Sequence, residues 1–195
     1  MAWFLLPEVS MKTAFVILAM VAGVAYAGRK AGVTMPDTVV VANKTLYLNG
    51  MGLREATWLR IDVYVAGLYL ERVSSDPVAI VREPEVKRLV LRFVRDVDHD
   101  DIVKAWHEGF AANSTVPVSK LRPFIDQLDA WTPSFEDGDT LAFTYVPGDG
   151  VSVDYNGVRR GVVRDEDFAR SLFAIWLGPK PPTGAVKRGL LGDHR

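Results

Sequence analysis

The chain has 195 residues, 49% hydrophobic and 24% charged, enough apolar material for one domain with a substantial core, which excludes disordered and collagen-like classes. Its net charge is -1, with acids and bases scattered rather than blocked, so there is no electrostatic footprint for nucleic acid and no such partner is expected. The absence of cysteine removes disulfides, thiol nucleophiles, CxxC redox chemistry and thiolate metal sites.

The N-terminus reads as a targeting segment. Met11-Lys12 supplies a short positive stretch, Ala14 to Val24 an apolar core, and Ala25-Tyr26-Ala27 a small-residue cleavage signal. The expectation is a leader over residues 1–27 with the natural start at Met11 and cleavage after Ala27, then a single domain over 28–195. The apolar run is shorter than the ~20 residues a spanning helix needs, and Pro7-Glu8 interrupts its extension. No stable membrane anchor is expected after cleavage, and the product is expected to be exported to the periplasm.

Thr38–Val41 and Thr45–Leu48 flank Ala42-Asn43-Lys44, where the Asn tolerates the positive φ of a tight hairpin turn. Residues 45–71 then read as two strands joined by a glycine-bearing bend, with Arg54 at the bend and Tyr64 inside the second strand. Leu59, Ile61, Val63 and Val65 share one face there, and Arg60, Asp62 and Tyr64 share the other. After Ala66-Gly67 the alternation slips at Leu68 and Leu70, which predicts either a bulge or a stretch buried on both faces. Asp76-Pro77 starts a short helix through about Val81 that Pro84 stops, and Arg88 to Arg95 alternates as a strand.

From Asp98 the period changes. Ile102, Trp106 and Phe110 predict an amphipathic helix to Asn113, and a second helix carries Leu121, Phe124, Ile125, Leu128 and Trp131, its first turn close to Pro123. Leu141 to Val146, Val151 to Tyr155 and the strand after Asn156-Gly157 predict a three-stranded meander. Asp165 or its neighbour caps a helix whose Phe168, Leu172, Ile175 and Trp176 face inward, ended by Gly178-Pro179, and Thr183 can cap a last short helix through Leu191. Hairpins, then helices, then hairpins predict an α+β fold: a large antiparallel sheet with helices packed on one face.

Arg54 follows two glycines, and a guanidinium beside backbone that permits close approach is suited to hold a carboxylate bidentately, with the Tyr64 hydroxyl as partner. Over an apolar cleft such a pair would orient an acid while alkyl burial supplies affinity at ~0.8 kcal/mol per CH₂. The alternative is an ion pair of Arg54 with Glu55 or Asp62 and a merely structural Tyr64. His99 and His107 lack the spacing of a metal pair, and no phosphate loop or nucleophile elbow occurs, so neither metal nor cofactor is expected. Trp58, Trp106, Trp131 and Trp176 are expected in the core or a pocket wall.

The runs NGMGLRE, VYVAGLYLE, FTYVPGDGVSVDYNGV and DFARSLFAIWLGPKPPTGAVKRGLLG resemble segments of the chalcone isomerase-like superfamily, which holds plant chalcone isomerases, plastid fatty-acid-binding relatives and exported bacterial proteins. The resemblance implies an open-faced β-sandwich. It places the family's ligand-holding Arg on Arg54 and the Tyr of its fatty-acid-binding branch on Tyr64, with Lys104 standing in for the helix Lys of the isomerases. The Tyr and Asn of that helix fall on Asp101 and Glu108, and a substrate-contacting Thr falls near Val186. The first expectation is a non-catalytic binder of a small amphipathic acid such as a fatty acid, held by Arg54, Tyr64 and, less directly, Lys104. The second expectation is an isomerase or intramolecular lyase acting on a conjugated carbonyl compound through the same residues.

Overall fold

A computed structural model describes residues 27–56 and 61–192. The leader through Tyr26 and the stretch holding Trp58, Leu59 and Arg60 lie outside the described residues, and the first strand begins at Ala27. The strands are β1 (Ala27–Lys30), β2 (Val33–Pro36), β3 (Thr38–Val41), β4 (Lys44–Ala56), β5 (Ile61–Leu70), β6 (Lys87–Phe93), β7 (Thr140–Val146), β8 (Gly150–Tyr155) and β9 (Val158–Val163). The helices are α1 (Pro77–Arg82), α2 (His99–Asn113), α3 (Val118–Trp131), α4 (Glu166–Leu177) and α5 (Gly184–Leu190).

Strands β3 to β9 pair in sequence order, every neighbour antiparallel, to form one seven-stranded meander, and the helices gather on one of its faces. The fold is thus the expected α+β arrangement. Ala42 and Asn43 turn the first hairpin at φ 48° and 61°, and Asn156 and Gly157 turn the last at 48° and 78°, the paired positive values that suit the twist of flanking strands. Asp76, Asp165 and Thr183 each accept backbone N–H bonds at the first turns of α1, α4 and α5. Pro123 lies a full turn inside α3, later than the expected first turn.

Two features differ from the expectations, and one decides between two of them. Strand β4 runs unbroken through Gly50, Gly52 and Arg54, so Arg54 is a strand residue and not a bend. The glycines serve α5 instead: a Cβ at Gly52 would stand 2.4 Å from Val186 O, one at Gly50 2.1 Å from Gly189 O, and one at Gly189 2.3 Å from Met51 O. Only bare backbone lets the helix lie on the strand at that distance.

Of the two alternatives expected after Gly67, the structure has the stretch buried on both faces: β5 is continuous there and its residues from Val63 to Leu70 are all buried. Tyr64, Ala66, Leu68 and Leu70 meet the helical layer, while Val65 and Tyr69 face the reverse side. The reverse side is covered there by the β1–β2 hairpin, whose Met35 packs with Met51 and Val65. This hairpin is the second difference, since no strand was expected before Thr38. The irregularities in pairing lie elsewhere, leaving Asn49 of β4 and Val63 of β5 without cross-strand partners. The Asn49 side chain bonds Ser74 O at 2.9 Å and Leu190 O at 2.7 Å, which ties the end of α5 to the sheet.

Candidate functional site

Arg54 and Tyr64 are cross-strand partners on β4 and β5, on the rung next to the bulged Val63. The extra residue puts Val63 and Tyr64 into the same core beneath the helices, where strict alternation would have sent them to opposite faces. Tyr64 is 2% exposed, Arg54 is half-buried, and the guanidinium carbon stands 5.7 Å from the centre of the Tyr64 ring. Among the described residues no carboxylate forms an ion pair with Arg54, so the alternative pairing with Glu55 or Asp62 is not made.

The Tyr64 hydroxyl accepts a hydrogen bond from Trp176 Nε1 of α4 at 2.9 Å. Burial pushes the phenol's pKa up, and the positive Arg54 and the Trp176 bond pull only partly against it. The phenol is therefore neutral near pH 7. Its own proton is the one hydrogen-bond function left to offer, and a carboxylate or carbonyl oxygen is the group that would accept it.

A cleft of about 240 Å³ opens over this pair. Its walls are Ile102, Ala105, Trp106, Gly109 and Ala112 of α2, Ile175 of α4, and the Lys180-Pro181-Pro182 turn before α5, with Glu108 at the rim. The turn is held from both sides by Asn113, which donates to Lys180 O at 2.8 Å and accepts from Lys180 N at 2.9 Å. Two cations, Arg54 and Lys180, thus face one carboxylate at an otherwise apolar hollow, a lining that favours an anionic head group with an apolar body.

The structure brings Arg54 and Tyr64 together and places Lys104 apart from Tyr64. Lys104 is on the outer face of α2 with its side chain 74% exposed, 4.0 Å from Glu108. It lines an adjoining outer recess of about 600 Å³, which also touches Arg54 and carries Asp96, Asp98, Asp101 and Arg95. Val186, on α5, is wholly buried against Gly52, away from the cleft. Sequence reasoning placed Trp176 in the core without a polar role and gave Lys180 none. The apolar period of α4 marked Trp176 as inward-facing, but its bond to Tyr64 crosses 112 positions and has no local signal.

The two histidines are engaged in helix packing. His99 Nδ1 lies 2.8 Å from Thr132 O and His107 Nε2 2.7 Å from Asp129 Oδ2. Among the described residues no group of three or more His, Asp or Glu could hold a metal ion, and no helix is long and apolar enough to cross a membrane.

Two larger hollows lie elsewhere. One of about 800 Å³ sits on the reverse face under the β1–β2 hairpin, where Arg88 is already engaged by Thr144 and Asp154. The other, of about 560 Å³, lies between α1, α4 and α5 with Arg82, Arg170 and Lys187 on its walls. Arg170 is bound to Asp167 at 3.0 Å and Lys187 to Gly178 O at 2.8 Å. Size alone therefore does not locate the site. The hollow under the hairpin also carries a buried phenol, Tyr69, and a guanidinium, Arg92, but Tyr69 already donates its proton to Pro36 O at 3.0 Å, whereas the Tyr64 proton has no acceptor among the described residues and lies beside Arg54.

No curated protein matches the chain. Among solved structures, the Arabidopsis thaliana fatty-acid binding protein superimposes with a TM-score of 0.71 at 17% sequence identity, covering 87% of this chain and 96% of that one, a likeness of fold. The sequence itself matches the family described as chalcone isomerase-like over residues 27–192. With the seven-stranded meander, the helical layer and a match that spans nearly all the described residues, the chain belongs to the chalcone isomerase-like family.

Proposed function

We propose that the protein is a non-catalytic binder of a small amphipathic carboxylic acid of the fatty-acid type, its head group held by Arg54 and Tyr64, and that it acts in the periplasm after losing its leader. The observation that carries this reading is Arg54, half-buried beside a protonated phenol at an apolar cleft. A guanidinium in such a place is costly to leave without an anion, and a carboxylate satisfies two of its N–H groups at once. The fold likeness to a fatty-acid binding protein supports the same class of ligand. The periplasmic address rests on the Met11–Ala27 segment. Lys104 could reach only a head group displaced into the outer recess.

Isomerase chemistry of the chalcone type is opposed by charge. Asp101 and Glu108 stand on α2 where the resemblance expects a phenol and an amide, and they would repel the phenolate that such a reaction forms.

Denaturing extraction of protein purified from its own envelope, followed by mass spectrometry, tests the proposal. A carboxylic acid in near-stoichiometric amount is expected, and Arg54→Ala, with an unchanged melting profile, should lose it. Equal retention by the variant would remove Arg54 from the site. Disappearance of the visible absorbance of added chalcone would move the protein to the isomerase class.

A further inference from the structure

The interior beyond Tyr64 is filled by the protein's own aromatic rings. Trp106 of α2, Phe143 of β7 and Trp176 of α4 form a three-membered cluster with ring centres 5.8–5.9 Å apart, each at most 2% exposed. On the other flank Tyr64 meets Phe93 edge-on at 5.7 Å, and Phe93 stacks on Phe135 at 3.9 Å. An acyl chain lying between sheet and helices would have to displace these rings. Trp106 is pinned: its indole N–H donates to Thr132 Oγ1 at 3.2 Å, and that hydroxyl donates to Leu128 O at 2.8 Å. The space left over the Arg54–Tyr64 pair is about 240 Å³. That is below the ~300–1,000 Å³ of pockets that bury drug-sized ligands, so only a small molecule fits over the pair.

We infer that the ligand is a short acid, a carboxylate bearing one aromatic ring or a short alkyl chain, and that Trp106 is the residue that sets this limit. The inference rests on the proposed carboxylate site and narrows its ligand. The outer recess continues from the cleft past Ile102 and Ala105 and adds Val63 and Val97, but Arg95, Asp96, Asp98, Asp101, Lys104 and Glu108 ring it with charge, so methylenes placed there bury little surface from water. A long-chain acid would bind through its first few carbons only.

Calorimetric titration of the delipidated full chain with benzoate and with straight-chain acids from butanoate to palmitate, each kept monomeric, tests this. Affinity is expected to rise about fourfold per CH₂, the factor equivalent to ~0.8 kcal/mol, and to level off well short of palmitate. Trp106→Leu should move the plateau to longer acids. If that variant does not fold, Ile175→Ala, which widens the same cleft from α4, should do so. A rise that continues to palmitate in the wild type and disappears in Arg54→Ala overturns the length limit while leaving the site in place. An unmoved plateau in a folded cleft variant overturns its control by the cleft wall. Binding that survives Arg54→Ala but is lost in Arg82→Ala belongs to the hollow between α1 and α4, and overturns the site and the inference with it, as does the absence of any binding.

Discussion

Replacing Gly52 by Ala tests how the strand carrying Arg54 is held. The added methyl would stand 2.4 Å from Val186 O and 2.8 Å from Val186 Cα, both backbone atoms that cannot rotate away. Relief requires α5 to move out by about 1 Å to regain ordinary van der Waals separation. Val186 and Leu190, both wholly buried, are the side chains that such a movement unseats. Overpacking that the structure can absorb costs about 1–3 kcal/mol, whereas losing both side chains from the core at 1.5–3 kcal/mol each costs about 3–6 kcal/mol. We expect about 2–4 kcal/mol. Urea unfolding followed by tryptophan fluorescence should show a midpoint lowered by about 1–2 M, taking a slope near 2 kcal/mol/M. Gly189→Ala strikes the same contact from the helix side, and the double variant should lose less than the sum of the singles because one undocking serves both. A Gly52→Ala midpoint within about 0.2 M of the wild type would refute backbone contact as the reason for glycine here.

Two further predictions concern side chains. Trp176→Phe keeps an aromatic ring in the core but removes the N–H that the Tyr64 hydroxyl accepts, so it should cost about 1 kcal/mol of stability and weaken acid binding. A folded variant that binds acid as tightly as the wild type would deny Trp176 a positioning role. Lys87 is 3% exposed, and its ammonium donates to Ile80 O and Glu83 O at the end of α1. Burial pushes its pKa down from 10.5 to about 8. The native state then holds this proton less tightly than the unfolded chain, so its contribution to stability is complete only above the unfolded value and is lost as pH falls through about 8. Between about pH 8 and 9.5 the wild type should therefore gain stability relative to Lys87→Met; parallel denaturation midpoints across that window would rule the effect out.

The sheet and helices were legible wherever local chemistry fixed them. Asn43, Asn156-Gly157, Asp76, Asp165 and Thr183 each act within a few residues of themselves, and all perform the predicted turn or cap. The β1–β2 hairpin was not legible: Arg29, Lys30 and Thr34 break any alternation, and the turn at Ala31-Gly32 uses a weak signal for the same positive-φ geometry as the Asn turns. The glycines of β4 misled in an instructive way. Their freedom suggested a bend, whereas what they supply is an absence of side chain needed by a helix far away in sequence. Of the site, Arg54 and Tyr64 were visible as residue types of the right kind. Their direct pairing depends on the register of two long strands, and the displacement of Val63 could not be read from alternation. The rings that fill the cleft's floor were each recognisable as core residues, but how little room they leave depends on how they pack.

The docking of α5 on β4 joins one of the first strands of the sheet to the last helix of the chain. A polypeptide emerging from a ribosome or a translocation pore N-terminus first would form its hairpins in order, since each strand pairs with the next. The bare stripe of backbone at Gly50 and Gly52, and with it the strand that presents Arg54, would stay uncovered until α5 had cleared the exit. The strand that presents Arg54 is thus sealed only after α5 has been made, and truncation before Gly184 would leave a nearly whole sheet with this stripe of backbone bare.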